Sequence, residues 1–176
     1  MFRRFFQKQY SHFSFVSGVV IGLPIYITCK DYFGYIARVE GASMQPTLNP
    51  CQESNCDVVF LNSWITDYES FKRGEIVAIA SPYHRNVSYI KRIIALEGDI
   101  VCTPRYKKNH VFIPKGHCWV EGDNKSASLD SNSFGPVSIG LIKAKATYII
   151  WPPHRWQKLS FDMPHSTNNN ILSVND

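Results

Sequence analysis

Apolar positions along this chain fall into two regimes, one long run near the start and many short alternating runs after it. From Tyr10 to Cys29 no side chain carries a formal charge with His12 neutral. Phe13, Phe15, Val16, Val19, Val20, Ile21, Leu23, Ile25 and Ile27 make the run roughly 20 residues long, the length a helix needs to cross a bilayer. Arg3, Arg4 and Lys8 precede it and favour an N-terminus on the cytoplasmic or matrix side, a bias that Lys30 and Arg38 weaken. A cleaved signal peptide calls for a small-residue exit, but the first alanine is Ala37, so the run reads as a retained anchor. Within it Ser14, Gly18 and Gly22 recur every four residues, a spacing that lets two membrane helices approach closely, although glycine is also simply common in such helices.

Beyond the anchor, short runs rich in β-branched and aromatic residues predict strands over Ile36–Glu40, Asp57–Asn62, Glu75–Ala80, Val87–Ala95, Asp99–Thr103, His117–Glu121 and Ala146–Trp151. Turn-rich stretches such as Lys72–Gly74 and Glu97–Asp99 separate them. Short helices are expected only near Ser63–Tyr68 and Val137–Ile142. Many short strands with little helical period predict a mainly β, barrel-like or sandwich domain. From Ser160 the chain turns polar, and Ser166–Asn170 is an uninterrupted polar run. The organisation therefore reads as a basic flank over 1–9, a transmembrane anchor over 10–29, a β domain over 30–159 and a polar, disordered tail over 160–176.

Composition narrows the function classes. In 176 residues, 44% hydrophobic and 14% aromatic content exclude a disordered chain. The net charge of +5 is mild, and Tyr106-Lys107-Lys108 belongs to no aromatic RNA-binding motif, so a nucleic-acid partner is not expected. The cysteines at 29, 51, 56, 102 and 118 form no C-x-x-C pair, and their odd number leaves at least one thiol free. Cys51 and Cys56 flank a short polar loop, either as a pair or as two free thiols. The histidines lack ligand spacing and no phosphate-binding glycine loop is present, so neither a metal nor a cofactor is expected.

Four stretches could carry chemistry. In Gly41-Ala42-Ser43-Met44-Gln45-Pro46-Thr47-Leu48 a serine follows a strand inside a turn bounded by glycine and proline. That placement suits a nucleophile, and it equally suits a turn residue. In Tyr89-Ile90-Lys91-Arg92-Ile93-Ile94, strand alternation sets Lys91 on one face and Arg92 on the other, so at least one of them shares a face with apolar neighbours. A buried lysine loses its preference for the charged form and becomes a base; the other reading is an apolar stem with its amine in water. Gly122-Asp123-Asn124, with Ser128, Asp130, Ser131 and Asn132 after it, has the small polar residues of a hydrogen-bonded turn network. Gly74-Glu75-Ile76-Val77 reads as a turn leading into a core strand, with no chemistry of its own.

Taken in order, these stretches resemble the signature boxes of the type I signal peptidase family, membrane-anchored Ser/Lys proteases. The carriers are S-M-x-P-T-L at Ser43–Leu48, Y-I-K-R-I-I at Tyr89–Ile94 and G-D-N-x-x-x-S-x-D-S at Gly122–Ser131. The resemblance runs from the anchor to about Trp156 and is nearest to the mitochondrial inner membrane branch. That closer match rests on Arg38–Pro46, Ile94–Val101 and Asp130–Ser138, with Trp151-Pro152-Pro153 and Arg155-Trp156.

The resemblance implies a signal-peptidase-like β fold behind a transmembrane helix. Ser43 is then the nucleophile and Lys91 the general base, with Ser128 orienting the lysine, Asp130 structural and the Ser43 backbone N–H holding the oxyanion. No cofactor or metal is implied. Bacterial members with a second, hydroxyl oxyanion donor carry it two residues before the nucleophile, where this chain has Gly41. Many members read D-S-R in the last box, whereas Asp130-Ser131-Asn132 cannot make that ion pair, so Asp130 must find other donors. Also implied are precursor substrates with hydrophobic sorting presequences, a sister catalytic subunit as partner, and a catalytic domain facing the intermembrane space. Plasma-membrane or endoplasmic reticulum signal peptidases, and a tethered β domain that binds peptide without cutting it, are the alternatives.

Overall fold

The computed structural model describes residues 16–28, 33–50, 56–64, 71–84, 86–103, 105–161 and 163, and the backbone of 171–172. A helix, α1, runs over 16–28 with its apolar side chains exposed, among them Val20, Ile21 and Leu23. Residues 10–15 and 29 of the expected anchor lie outside the described residues, and no helix among those described is long and apolar enough to cross a membrane.

The rest is mainly β, as the alternation predicts. β1 (Tyr35–Arg38), β2 (Val58–Asn62), β3 (Ile76–Ala80), β4 (Ser88–Ala95), β7 (His117–Glu121), β8 (Val137–Ser138) and β9 (Ile142–Trp151) form an antiparallel sheet in the order β1-β2-β9-β3-β4-β7-β8, with β10 (Gln157–Lys158) paired to β9. A smaller sheet has the order β11-β5-β6, from β5 (Ile100–Cys102), β6 (His110–Phe112) and β11 (Ile171–Leu172). Register shifts between β2 and β9, β3 and β9, and β4 and β7 bend the large sheet, because an extra residue on one strand increases local twist. The bend brings Tyr35–Arg38 and Ser88–Lys91 to the walls of one cleft although β2, β9 and β3 lie between them in the sheet.

β3 is an unbroken apolar run, Ile-Val-Ala-Ile-Ala, which is what a strand buried on both faces requires. Ile76 and Ala78 join a core with Met44, Leu48, Val59, Leu61, Ala146 and Ile149, while Val77 and Ile79 join a second core with Ile93, Val120 and Ile139. A third cluster, around Trp119, Ile94, Val101 and Ile113, sits under the small sheet.

Two expectations are corrected. The helix expected over Val137–Ile142 is β8 followed by a single 3-10 turn, Ile139–Leu141, and the first residue of β9. Ser138 Oγ accepts from the Gly140 N–H at 3.3 Å, so only one turn is capped before the β-branched residues return to the sheet. The segment after Ser160 also contributes to the fold: Met163 packs on the third cluster, and Ile171–Leu172 pairs with β5. The polar run Ser166–Asn170 hides this in the sequence, since two apolar residues after it make no strand pattern without the β5 edge. The helix expected near Ser63–Tyr68 falls largely outside the described residues.

Candidate active site

Ser43 lies on a turn between β1 and β2 that is fastened at both ends. Met44 and Leu48 plug the first core, with Leu48 N–H donating to the Met44 carbonyl at 2.9 Å. Asn49, with φ of 51°, a left-handed conformation that asparagine tolerates, donates from Nδ2 to the Val39 carbonyl at 2.8 Å and the Gly41 carbonyl at 3.2 Å. Its Oδ1 accepts from Asp57 N–H at 2.7 Å, and its own N–H donates to Asp57 Oδ2 at 2.8 Å. Arg155 completes the brace, pairing with Asp57 Oδ2 at 2.5 Å and donating to the Thr47 carbonyl at 2.9 Å. None of Asn49, Asp57 or Arg155 carries a readable role in the sequence. The only signal is Asp57 at the mouth of an apolar strand, and its ion partner lies 98 residues away.

Lys91 and Arg92 are both buried, because both faces of β4 are packed, so each of the two alternating positions puts its cation among covered neighbours. The two cations are accommodated differently. Arg92 makes a bidentate pair with Asp123, at 2.8 and 2.7 Å, and also donates to the Gly74 carbonyl at 2.8 Å. Lys91 has no hydrogen bond or ion pair among the described residues, and its Nζ lies 5.8 Å from the centre of the Tyr89 ring. Burial lowers its pKa from the ordinary lysine value, and the charges of Asp130 and Asp123 offset part of that effect.

The third segment closes on the first two. Asn124 N–H donates to the Ser43 carbonyl at 3.1 Å. Gly122 sits where a Cβ would run into the Ser43 carbonyl oxygen and the Ser128 side chain, whose own Cβ would lie at 2.7 Å. Asp130 finds its donors without an arginine: Gly122 N–H at 3.0 Å, Asn132 Nδ2 at 3.1 Å and Asn132 N–H at 3.1 Å, the last as the cap of a short helix, α2 (Ser131–Phe134). Ser128 Oγ is buried and has no hydrogen-bond partner among the described residues.

Ser43 and Lys91 line the same cleft of about 310 Å³, with Tyr35, Ala37, Ala78 and Ile90 among its other walls. β1 is one of the two terminal strands of the sheet and has a free edge among the described residues. On β4 the pairing with β7 begins only at Arg92, so Ser88–Lys91 offers a second unpaired edge across the cleft. Two facing free edges can accept an extended peptide by strand addition. The family model for signal peptidase, peptidase S26, matches residues 12–112 and 103–151, most of the chain.

The chain belongs to the signal peptidase family.

It is a serine-type signal peptidase hydrolase. Among relatives, it is 48% identical to the mitochondrial inner membrane protease subunit 2 of Danio rerio over 92% of this chain and 85% of that protein. It is 51% identical to the human protein of the same name over 86% of each. To human mitochondrial inner membrane protease subunit 1 it is 37% identical over 69% of this chain and 72% of that one. Within this signal peptidase, Gly41 has φ of 88°, a conformation that side chains rarely adopt, so its backbone disfavours the hydroxyl residue of bacterial members. The Gly74 box has more to it than a turn. Glu75 is fully buried in an ion pair with Lys145 of β9, with the Phe161 ring 4.7 Å from Lys145 Nζ. Cys56 is a free thiol that accepts from Arg38 Nη2 at 3.4 Å, and Cys51 lies outside the described residues. Among the described residues no group of His, Cys, Asp and Glu is arranged to hold a metal ion.

Proposed function

We propose that Ser43 and Lys91 form the catalytic dyad of a peptidase that removes hydrophobic sorting presequences from proteins of the mitochondrial intermembrane space. The observation that carries this reading is a buried lysine without an ion pair beside a rigidly held serine, in a cleft with two free strand edges. A largely buried lysine without an ion pair gives up its proton more readily than an exposed one. The neutral amine takes the Ser43 hydroxyl proton as Oγ attacks the scissile carbonyl, and the ammonium then protonates the leaving amine. Water hydrolyses the resulting ester. In the reacting complex we assign Ser128, whose buried Oγ is free of other partners among the described residues, to orient the lysine amine, the Ser43 N–H to stabilise the oxyanion, and Asp130 to keep Gly122 in place through the Gly122 N–H.

The compartment follows from the relatives' names, as does a sister catalytic subunit, since two kinds of subunit are named among them. The exposed apolar side chains of α1 support a single-pass anchor over 10–29, because an apolar helix bare on all sides needs lipid or a partner around it. The catalytic domain then faces the intermembrane space. Expression of wild type, Ser43→Ala and Lys91→Met in mitochondria, followed by precursor processing, tests the reading. Both variants should leave precursors uncut, and wild-type maturation by either one refutes the dyad.

A further inference from the structure

A second, rear cavity of about 220 Å³ lies on the Ser128 side and shares no wall residue with the front cleft that holds Ser43 and Lys91. Cys102, Glu121, Ser128, Asp130, Asn132 and Ser133 are among its lining. One wall residue of each space, Ser43 and Ser128, converges on Gly122, where the Ser43 carbonyl and the Ser128 side chain both crowd the place a side chain would take. A buried hydroxyl left without a partner costs about 1–3 kcal/mol, so the orphaned Ser128 Oγ needs an explanation. Its neighbours in the wall are already engaged. Glu121 Oε1 accepts from Trp119 Nε1 at 2.9 Å and from Asn132 Nδ2 at 3.1 Å, and Asp130 is held by Gly122 and Asn132. A polar cavity of this size holds several waters, and an orphaned hydroxyl at its wall is where one of them bonds.

We propose that this rear cavity is the solvent chamber from which the hydrolytic water reaches the acyl-enzyme, handed forward by Ser128. The inference rests on the dyad reading above. After acylation the presequence stays joined to Ser43 on its side of the front cleft, and a supply from the Ser128 side reaches the ester without crossing it. In the step that follows, a water oxygen adds to the ester carbonyl while the neutral Lys91 amine takes its proton. The bond from Ser43 Oγ to the carbonyl carbon then breaks, the lysine returns the proton to Oγ, and the presequence leaves as a carboxylic acid. Water is the only co-reactant.

The test narrows the rear cavity without altering Ser43, Lys91 or Ser128. Ser133→Trp and Cys102→Phe are made in the full-length chain, with Cys102→Ser as a polar control, and assayed on a presequence peptide in detergent-solubilised membranes. Ser133 is exposed, so its variant keeps the fold even where Cys102→Phe does not. Slowed deacylation should lower kcat by about tenfold or more and KM in parallel, leaving kcat/KM within about twofold, and mass spectrometry should detect presequence on Ser43. The control should match wild type. Unchanged kcat in folded Ser133→Trp, or kcat and kcat/KM falling together without an adduct, overturns the proposal. If Ser43→Ala is inactive while Ser133→Trp behaves as wild type, the solvent route alone falls. If Ser43→Ala still processes precursors, the dyad falls with it.

Discussion

Replacing Gly122 by alanine puts a methyl group into a point where the Ser43 turn and Ser128 pack closely together. The new carbon would collide with the Ser43 carbonyl oxygen and with Ser128 Oγ, and would lie 2.7 Å from Ser128 Cβ. Two carbons rest at about 3.5–4.0 Å, so the turn and the loop must part by roughly 1 Å. Neither neighbour yields cheaply, since the carbonyl belongs to a backbone tied by Asn124 and the Asn49 brace. The backbone of Gly122 is not in the left-handed region, so the requirement here is for space alone. Overpacking of this kind costs about 1–3 kcal/mol of stability. A displacement of about 1 Å at a nucleophile costs on the order of 100-fold in rate. Steady-state cleavage of a presequence peptide beside a urea denaturation curve measures both. Gly116→Ala is the control, because no atom lies within 4 Å of the added carbon although φ is 73°. A Gly122→Ala enzyme cleaving within about twofold of wild type would show that the contact does not position Ser43.

Other predictions follow from the buried charges and the anchor. Lys91 has a folded pKa below its unfolded one, so between the two values the unfolded chain binds more protons and stability rises with pH. The cost of burying the ammonium is present in full below the folded pKa and gone above the ordinary lysine value. Lys91→Met should therefore be more stable than wild type near neutral pH, by about 1.4 kcal/mol for each unit of depression, with the gap closing toward about pH 10; a pH-independent gap in urea titrations refutes this. Arg155→Met leaves Asp57 buried without its cation and should cost about 3 kcal/mol, the low end for a broken buried pair because Arg155 is partly exposed. Asp57→Asn in the same chain should restore most of that loss, and a strictly additive double variant argues against the brace. Gly18→Leu/Gly22→Leu should reduce co-purification of the sister subunit if that face packs against it, whereas equal recovery removes the idea.

How much of this was legible depends on how local the cause is. β3, β4 and β7 are written in their own apolar runs, and the sequence-based bounds fall within a residue of the strands. β6, β8, β10 and β11 are strands of two or three residues that exist because a neighbour offers an edge, and no local pattern marks them. α2 is hidden for the opposite reason: Asp130 caps it, and a capping aspartate amid serines reads as a turn. Motifs mark Ser43, Lys91 and Ser128, while no motif marks the buried pairs that brace the sheet around them. Pairs such as Asp57 with Arg155 or Glu75 with Lys145 join residues 98 and 70 positions apart, and a charged residue bears no mark that it will be buried.

The place of β9 has a consequence for when the enzyme comes into being. β9 is the last long strand, yet it lies between β2 and β3, with Lys145 opposite Asn62 on one side and Val77 on the other. Until residue 151 is available, the half of the sheet that carries Ser43 and the half that carries Lys91 have no strand to join them. Such non-local pairing is slow, because the chain must close long loops before contacts repay them. A chain that emerges from its N-terminus would thus present Ser43, Lys91 and Ser128 before the strand that unites the two halves of the sheet.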